Sequence, residues 1–229
     1  MFRSPPRPCA VPAVNATSQP ATDDPPPVLA ARGLRRAVGE RVLFSDVAFT
    51  LAEGEVLAVS GPSGAGKTLL LRQLALLDPL TAGELECDGR SAERWTGPVW
   101  RARVSSLLQG GPILPGTPHE LAAAVAGLEA QRERDVDSPF ELAAAWELSA
   151  AAWGQPWSEL SLGERQRAQL AIVLARRPRV ILLDEPTSAL DPAATAAVER
   201  SLRGRTAVWV THDRAQAARV SDTTLELCP

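Results

Sequence analysis

This sequence of 229 residues has no long apolar run, no net positive charge and only one lysine. No stretch reaches the roughly 18 apolar residues that a membrane-spanning helix needs, so we expect a soluble chain. The net charge of −3 gives no basic surface of the kind that binds nucleic acid or an anionic bilayer. Because 45% of the residues are hydrophobic, the chain can build a sizeable core, as one domain or one domain with a subdomain.

Paired cysteines are also missing. Cys9, Cys87 and Cys228 lie far apart, and none stands in a C-x-x-C or C-x-x-H pattern. An odd number of isolated cysteines favours reduced thiols over a disulfide framework or a metal site. The sequence therefore predicts a cytosolic protein without a structural disulfide.

Lysine occurs once, at position 67, among 24 lysine and arginine residues. An apolar run of strand length precedes it and a helix-forming run follows, which is the context in which G-x-x-x-x-G-K-[ST] binds nucleotide phosphates. A compact ammonium fits between phosphates where a planar guanidinium does not. The segment consists of Gly61, Pro62, Ser63, Gly64, Ala65, Gly66, Lys67 and Thr68.

This segment predicts a phosphate-binding loop in which backbone N–H groups and a helix N-terminus contact phosphate oxygens. We expect Lys67 to reach the β- and γ-phosphates and the Thr68 hydroxyl to ligate Mg²⁺. The alternative, a chance glycine-rich turn, fits the eight residues alone but not the flanking strand and helix together with the solitary lysine.

Composition divides the chain into a tail and a domain. Residues 1–27 contain eight of the twenty prolines and predict a disordered tail. Residues 28–227 alternate strand-like and helix-like segments, which favours an α/β fold with a mainly parallel sheet and the site along one edge. Within it, residues 110–162 indicate a small helical insertion with tryptophans in its core. We expect strands at 28–38, 41–51, 56–60, 83–88, 104–109, 180–184 and 206–211, and helices at 66–77, 120–130, 139–149, from 161 to about 177, 192–203 and 214–220.

Polar side chains stand at the ends of the predicted buried strands. Asp184 and Glu185 follow four consecutive aliphatic residues, where Asp184 is placed to hold Mg²⁺ and Glu185 to polarise an attacking water. A lone carboxylate at a strand end is usually only solvated, but two adjacent acids in a chain with a phosphate loop favour a functional role. His212 ends a later strand and is placed to hydrogen-bond a γ-phosphate oxygen, whereas His119 follows a proline in a loop and is interpreted as structural.

These motifs in this order resemble the ATP-binding subunit of an ABC transporter, and the resemblance covers about residues 28–227. It implies a P-loop NTPase core with an antiparallel β subdomain on the N-terminal side and an inserted helical subdomain at about 110–162. The resemblance assigns Gly61–Thr68 to the Walker A loop, Gln109 to the Q-loop and a metal contact, Leu160–Glu164 to the family signature, Val180–Asp184 to the Walker B strand, Glu185 to the catalytic glutamate, Ser188–Asp191 to the D-loop and His212 to the switch histidine.

The same resemblance implies a homodimer. In the family two subunits pair head to tail, and each ATP lies between the phosphate loop of one and the signature of the other. Ser161 and Gly163 open a predicted helix, and its N-terminus is an anion site that the chain's own phosphate loop does not need. The signature departs from the common pattern at Leu162, where glycine is usual, and at Glu164, where glutamine is usual. Val38 stands where the family commonly has an aromatic residue that stacks on adenine.

The leading functional hypothesis is an ATP- and Mg²⁺-dependent ATPase that drives a separate membrane-spanning subunit from the cytoplasmic face of the plasma membrane. Residues 112–117 and the Trp209–Asp213 segment resemble the small ATPase of bacterial iron-export systems. Ile113 and Leu114, in the loop 110–117 after Gln109, are expected to line a groove for a helix of the membrane subunit.

Two alternatives remain. A soluble ATPase of this type acting on ribosomes or DNA would resemble two fused copies or carry long coiled coils, whereas this chain has one copy and no basic patch. An inert nucleotide-binding regulator is disfavoured because Glu185 and His212 are both present.

Overall fold

The structure, a computed structural model, describes residues 26–109, 115–131 and 136–227. The predictions for the tail up to residue 25, for Ile113 and Leu114, and for Cys9 and Cys228 lie outside these ranges. The described strands are β1 (Leu29–Val38), β2 (Arg41–Leu51), β3 (Val56–Ser60), β4 (Glu84–Cys87), β5 (Arg90–Ser91), β6 (Val104–Leu107), β7 (Val180–Asp184), β8 (Ala207–Val210) and β9 (Thr223–Glu226). The described helices are α1 (Lys67–Leu74), α2 (Gly97–Arg103), α3 (Pro118–Ala126), α4 (Pro139–Ala144), α5 (Leu162–Ala175), α6 (Pro192–Leu202) and α7 (Arg214–Val220).

The strands form two sheets, as the predicted fold class requires. One sheet is antiparallel in the order β2-β1-β4-β5, and the other is parallel in the order β6-β7-β8-β3-β9. Because all strands of the second sheet run in one direction, their carboxyl ends lie along one edge. The α/β fold with a parallel sheet and an N-terminal antiparallel sheet is confirmed.

Side chains alternate between the two faces of the parallel sheet and build a core on each. Leu182 of β7 and Val208 of β8 pack on the side that holds α1, whereas Leu183 and Trp209 pack on the opposite side with α5 and α6. Every residue of β7 is buried, which explains its uninterrupted aliphatic sequence. This central burial fixes the strand whose end carries Asp184.

The tryptophans of the helical segment are buried, as predicted, but they do not form a core of their own. Trp146, Trp153 and Trp157 are 0%, 4% and 1% exposed. They belong to the same apolar cluster as α5 and the second face of the parallel sheet, and the Trp146 indole N–H donates to the Ser201 hydroxyl of α6 at 2.9 Å. The helical segment is therefore packed onto the sheet domain by its largest side chains.

Several predicted boundaries were wrong for local reasons. The helix expected to reach residue 77 ends at Leu74, because Leu76 adopts a left-handed conformation (φ 51°) and the Leu77 N–H bonds back to the Arg72 carbonyl. The helix expected over 120–130 begins at Pro118 and ends at Ala126, before Gly127, and the one expected over 139–149 ends at Ala144. The strand expected to reach Gln109 ends at Leu107, where its pairing with β7 ends.

Among the described strands and α-helices, three were missed altogether. The short β5, α2 and the edge strand β9 lack a clear period in the sequence. Among the described residues, no helix combines the length and the apolar composition that crossing a bilayer requires.

Candidate active site

The loop between β3 and α1 is shaped by glycines. Gly61 and Gly66 have φ values of 143° and 96°, which side chains rarely adopt. A Cβ atom at Gly61 would lie 2.4 Å from the Leu227 carbonyl oxygen, and one at Gly66 would lie 3.1 Å from the Phe44 ring. At Gly64, no described atom lies within 4 Å of such a Cβ. The loop is thus closely packed at Gly61 and Gly66 and open at Gly64, where there is space for an anion.

Lys67 leans over this loop. Its Nζ donates to the carbonyl oxygens of Gly61 at 2.8 Å and Pro62 at 3.1 Å. Charged phosphate oxygens are stronger partners for an ammonium than neutral carbonyls, so the side chain is held ready beside the opening. The loop forms one wall of a cleft of about 490 Å³, and the cleft is lined by Leu43, Gly61, Ser63, Gly64, Gly66, Lys67, Thr68, Leu69, Gln109, Asp184, Glu185, Val210 and His212.

Two oxygen ligands suited to Mg²⁺ meet in this cleft. The Thr68 hydroxyl donates to the Asp184 carboxylate at 2.6 Å, although the two residues are 116 positions apart in the sequence. Asp184 is only 4% exposed. Hydroxyl and carboxylate oxygens are the donors that Mg²⁺ prefers, and a nearly buried carboxylate on the cleft wall is a strong electrostatic partner for it. The residues present therefore fit the metal that the sequence implied.

Glu185 and His212 meet beside the metal ligands. The Nδ1 atom of His212 lies 2.8 Å from the Glu185 carboxylate, which leaves Nε2 of this exposed ring available to a phosphate oxygen. Glu185 has φ 51°, an uncommon conformation for a side-chain-bearing residue, and its N–H donates to the Val210 carbonyl at 3.0 Å. The backbone thus turns sharply at Glu185 and presents its carboxylate to the cleft.

Gln109 lines the same cleft from an exposed position just past β6. Val38, by contrast, lies at the end of the β1–β2 hairpin, opposite Arg41, and is 57% exposed. The apolar side chain that this hairpin sheet does contribute to the cleft lining is Leu43, which the sequence had not singled out. The structure thus brings Gln109 to the phosphate loop but leaves Val38 on the rim of the hairpin.

Ser161 caps the N-terminus of α5. Its hydroxyl accepts from the Glu164 N–H at 3.3 Å and donates to the Glu164 carboxylate at 2.7 Å, and the Ser161 N–H donates to the same carboxylate at 2.9 Å. These hydrogen bonds hold the pKa of Glu164 below its usual range. The departure from glutamine at position 164 therefore completes a capping box with a charged group.

Gly163 and Asp191 serve local structure in ways that the sequence did not reveal. A Cβ atom at Gly163 would lie 2.9 Å from the Ala189 carbonyl oxygen, so the D-loop segment packs directly against this glycine. Asp191 caps α6 by accepting from the Ala194 N–H at 2.9 Å, and such backbone hydrogen bonds lower its pKa. Ser161, Gly163 and Asp191 are not among the described residues that line the phosphate-loop cleft.

Two glutamines that the sequence analysis missed support the site from behind. Gln166 on α5 donates to the Glu185 carbonyl at 2.8 Å and accepts from the Ala189 N–H at 3.1 Å. The buried Gln216 on α7 accepts from the Thr211 hydroxyl at 2.9 Å and donates to the Thr187 hydroxyl at 2.8 Å. Each stands among other polar residues on its helix, so the sequence carried no signal that would single it out.

A glycine-rich loop that joins a strand of a parallel sheet to a helix, with a threonine and a strand-end aspartate in contact beside it, defines a P-loop nucleoside triphosphatase. Within that class the chain belongs to the ABC transporter family, whose sequence pattern it matches over residues 44–188. As an ATP-binding subunit of this family it is an ATPase, which converts ATP and water to ADP and phosphate.

Similar proteins agree with this assignment. The chain is 38% identical over 220 aligned residues to a hemin import ATP-binding protein of Streptomyces coelicolor, with 89% of this chain and 78% of that protein covered. It is 36% identical over 221 aligned residues to a probable anion import ATP-binding protein of Haloferax volcanii, with 86% and 75% covered. A bacterial ABC transporter cassette solved as a dimer matches with a TM-score of 0.74 and 26% identity, over 87% of this chain and 94% of that one.

Proposed function

We propose that this chain is the energy-coupling subunit of a transporter and hydrolyses ATP at the interface of a head-to-tail homodimer. The observation that carries the proposal is that the phosphate-loop cleft and the start of α5 lie apart within one chain. The phosphate loop, Thr68, Asp184, Glu185 and His212 share one cleft, whereas the capped N-terminus of α5 at Ser161 contributes no described residue to it. A second copy of the chain supplies the missing wall.

Within the cleft, each residue has a role that its geometry supports. The loop 61–66 and Lys67 bind the phosphates, and Thr68, Asp184 and Gln109 hold Mg²⁺. When bound, the metal neutralises charge that develops on the β- and γ-phosphates. Glu185 accepts a proton from the attacking water. His212 donates from Nε2 to the γ-phosphate, and because its Nδ1 also faces the Glu185 carboxylate, the ring makes both contacts as an imidazolium with a proton on each nitrogen.

The dimer supplies Ser161 and Gly163 to the γ-phosphate of the partner's ATP. A helix N-terminus carries partial positive charge and free N–H groups, which suit an anion. Asp191 and the D-loop lie beside this helix, as the contact between Gly163 and Ala189 shows, so they enter the same interface. The related cassette that was solved as a dimer supports this arrangement.

A separate membrane-spanning subunit is the partner that hydrolysis drives, which places the protein on the cytoplasmic face of the plasma membrane. The relatives' names state import of hemin and of an anion, so they do not converge on one cargo. The finer prediction of an iron-export system stays a prediction, because part of the 112–117 segment on which it depends lies outside the described residues. A soluble ATPase acting on ribosomes or DNA is not favoured by these relatives.

The proposed roles of Lys67 and Glu185 predict two different failures. Lys67→Ala removes the cation that binds the phosphates, so ATP binding and turnover are lost. Glu185→Gln keeps the cleft but removes the proton acceptor, so the variant binds ATP and accumulates as a closed dimer. Size-exclusion chromatography with Mg-ATP and a phosphate-release assay measure both outcomes. Glu93→Gln is the matched control, because Glu93 is exposed and does not line the cleft. A wild-type rate of hydrolysis for Glu185→Gln would refute the role of Glu185 as base.

The divided site predicts complementation. Ser161→Arg blocks the signature and Lys67→Ala disables the phosphate loop, so both sites of either homodimer are inactive. A mixed dimer of the two variants retains one site with an intact phosphate loop and an intact signature. Full activity of the Ser161→Arg homodimer would contradict the composite site. The membrane partner is tested by purification of the tagged chain from native membranes, where recovery of no membrane-spanning protein would count against transport.

A further inference from the structure

The start of α5 and the segment that follows Glu185 form one packed unit. The Ala189 carbonyl would lie 2.9 Å from a Cβ atom on Gly163, which leaves no room between the two segments at this point. The Gln166 side chain, one turn further along α5, lies in the same contact and uses both ends of its amide. The start of α5 is therefore in direct contact with both ends of the segment 185–189.

The contact made by the Gln166 amide nitrogen falls on the most strained residue of the site. Glu185 has φ 51°, in the left-handed region that disfavours side-chain-bearing residues. Such a conformation persists only where the surroundings fix it. Around Glu185, those contacts are the Gln166 Nε2 donation to its carbonyl at 2.8 Å, the donation of its own N–H to Val210 and the His212 contact to its side chain.

The second contact of Gln166 fixes the far end of the same turn. Its amide oxygen accepts from the Ala189 N–H at 3.1 Å, and the Ser188 N–H also turns back to the Glu185 carbonyl at 3.2 Å. One side chain thus spans both sides of the turn that carries Glu185, and it does so from the helix whose N-terminus holds Ser161.

We propose that Gln166 is a positioning residue that orients Glu185 of its own subunit and ties that orientation to the signature helix α5. The inference rests on the proposed function, in which Glu185 activates water and Ser161 contacts the ATP bound by the partner. Since α5 touches one ATP site and Glu185 serves the other, Gln166 links the two sites of the dimer through a single side chain.

Gln166→Met tests the role because methionine has a similar length and helix propensity but no amide. Loss of two hydrogen bonds that orient the base lowers kcat by about tenfold, at the usual net strength of such bonds. The KM for ATP and the affinity for a fluorescent ATP analogue stay within about twofold, because the phosphate loop is untouched. Gln169→Met, three residues further along the same helix, is the matched control and keeps the wild-type rate.

A second variant keeps the acceptor and reverses the donor. Gln166→Glu retains an oxygen for the Ala189 N–H but places another carboxylate oxygen against the Glu185 carbonyl, so kcat falls at least as far as in Gln166→Met. If Gln166 only stabilised the fold, both variants would lower the melting temperature with no selective loss of kcat at temperatures where they are folded. An unchanged kcat in both variants overturns the inference.

Mixed dimers locate the effect. With Ser161→Arg in one chain and Lys67→Ala in the other, the single working site uses Glu185 of the first chain and the signature of the second. Adding Gln166→Met to the first chain lowers the rate about tenfold, whereas adding it to the second has a much smaller effect. Equal losses from both placements overturn the inference. A wild-type protein without hydrolysis overturns the proposed function itself, whereas normal hydrolysis with insensitive Gln166 variants overturns the inference alone.

Discussion

Glu164→Gln is expected to change the stability of the monomer and that of the ATP-bound dimer in opposite directions. In the structure the Glu164 carboxylate accepts from both the N–H and the hydroxyl of Ser161, at 2.9 and 2.7 Å. It closes the first turn of α5, whose partial positive charge it complements. The proposed dimer places the γ-phosphate of the partner's ATP against the same helix end, where the Glu164 carboxylate would repel it.

For the monomer, the substitution weakens two charge-assisted hydrogen bonds and removes a favourable interaction with the helix dipole. Such N-terminal interactions contribute about 0.5 to 1 kcal/mol, so the free energy of unfolding falls by that amount and the melting temperature falls by a few degrees. Since the pKa of Glu164 is lowered by Ser161, this stability is present above the pKa of the unfolded carboxyl. It is lost as the pH falls through the folded pKa, where wild type and variant converge.

For the dimer, the substitution removes repulsion between two anions. A unit charge about 8 Å from a phosphate charge costs about 0.5 to 2 kcal/mol at an effective dielectric constant between roughly 80 and 20. The closed dimer contains the contact twice, so it tightens by about fivefold or more despite the weaker monomer. The gain shrinks as salt is added, because partly exposed charges are screened.

The dimer constant is measured by analytical ultracentrifugation with Mg-ATP in the Glu185→Gln background, and monomer stability by urea denaturation without nucleotide. Glu120→Gln is the matched control, because Glu120 closes the same kind of capping box with Thr117 on α3, and the proposed interface assigns no role to that helix end. It should lower stability alike and leave dimerisation unchanged. If Glu164→Gln weakens the ATP-bound dimer, the position assigned to the partner's phosphate is wrong.

The remaining predictions concern a buried thiol and the adenine ring. Burial raises the pKa of Cys87 to about 11, so the thiol of the unfolded chain loses its proton at lower pH than that of the folded chain. The free energy of unfolding of the wild type therefore falls by about 2 kcal/mol between pH 8 and 10.5, whereas that of Cys87→Ala lacks this loss. Urea denaturation over this pH range should show the difference in unfolding free energy between the two proteins shrinking, and a constant difference would contradict the burial argument. Val38→Tyr should tighten ATP by about fivefold through stacking while changing kcat little, and the wild type should use ATP and GTP with similar efficiency; a strong native preference for ATP with no response to the substitution would show that adenine binds elsewhere.

The phosphate loop and the strand ends could be predicted because each is encoded by a short, continuous sequence motif. Four aliphatic residues before Asp184 announce a strand buried on both faces, and β7 is buried throughout. Because the strands are parallel, the end of β7 lies at the same edge of the sheet as the phosphate loop, and there Asp184 reaches Thr68 although β8 separates β7 from β3. Residues of this kind can be assigned from pattern alone, since their environment follows from their own element.

The roles of Gln166 and Gln216 could not be predicted, because they depend on contacts between distant segments. Gln166 is one polar residue among several on α5, and only the position of Ala189 and the left-handed turn at Glu185 give it a function. Leu43 was not singled out because only the folded hairpin places it in the cleft lining, whereas the adenine contact of Val38, at the rim of the hairpin, stays a prediction. The edge strand β9 was missed because four residues with one buried side chain carry too little period.

The two signature positions that depart from the family pattern, Leu162 and Glu164, can be substituted without a clash inside the monomer. Gly163, which keeps the family's glycine, cannot. Gly163 lies against the Ala189 carbonyl within the same subunit, so a larger residue there would disrupt the monomer before any dimer formed. Leu162 is 64% exposed, and Glu164 only closes a cap. In the proposed dimer, side chains at these two positions face the second subunit and its bound ATP. Their substitution should therefore tune dimer closure, whereas substitution of Gly163 should first be felt as a loss of stability.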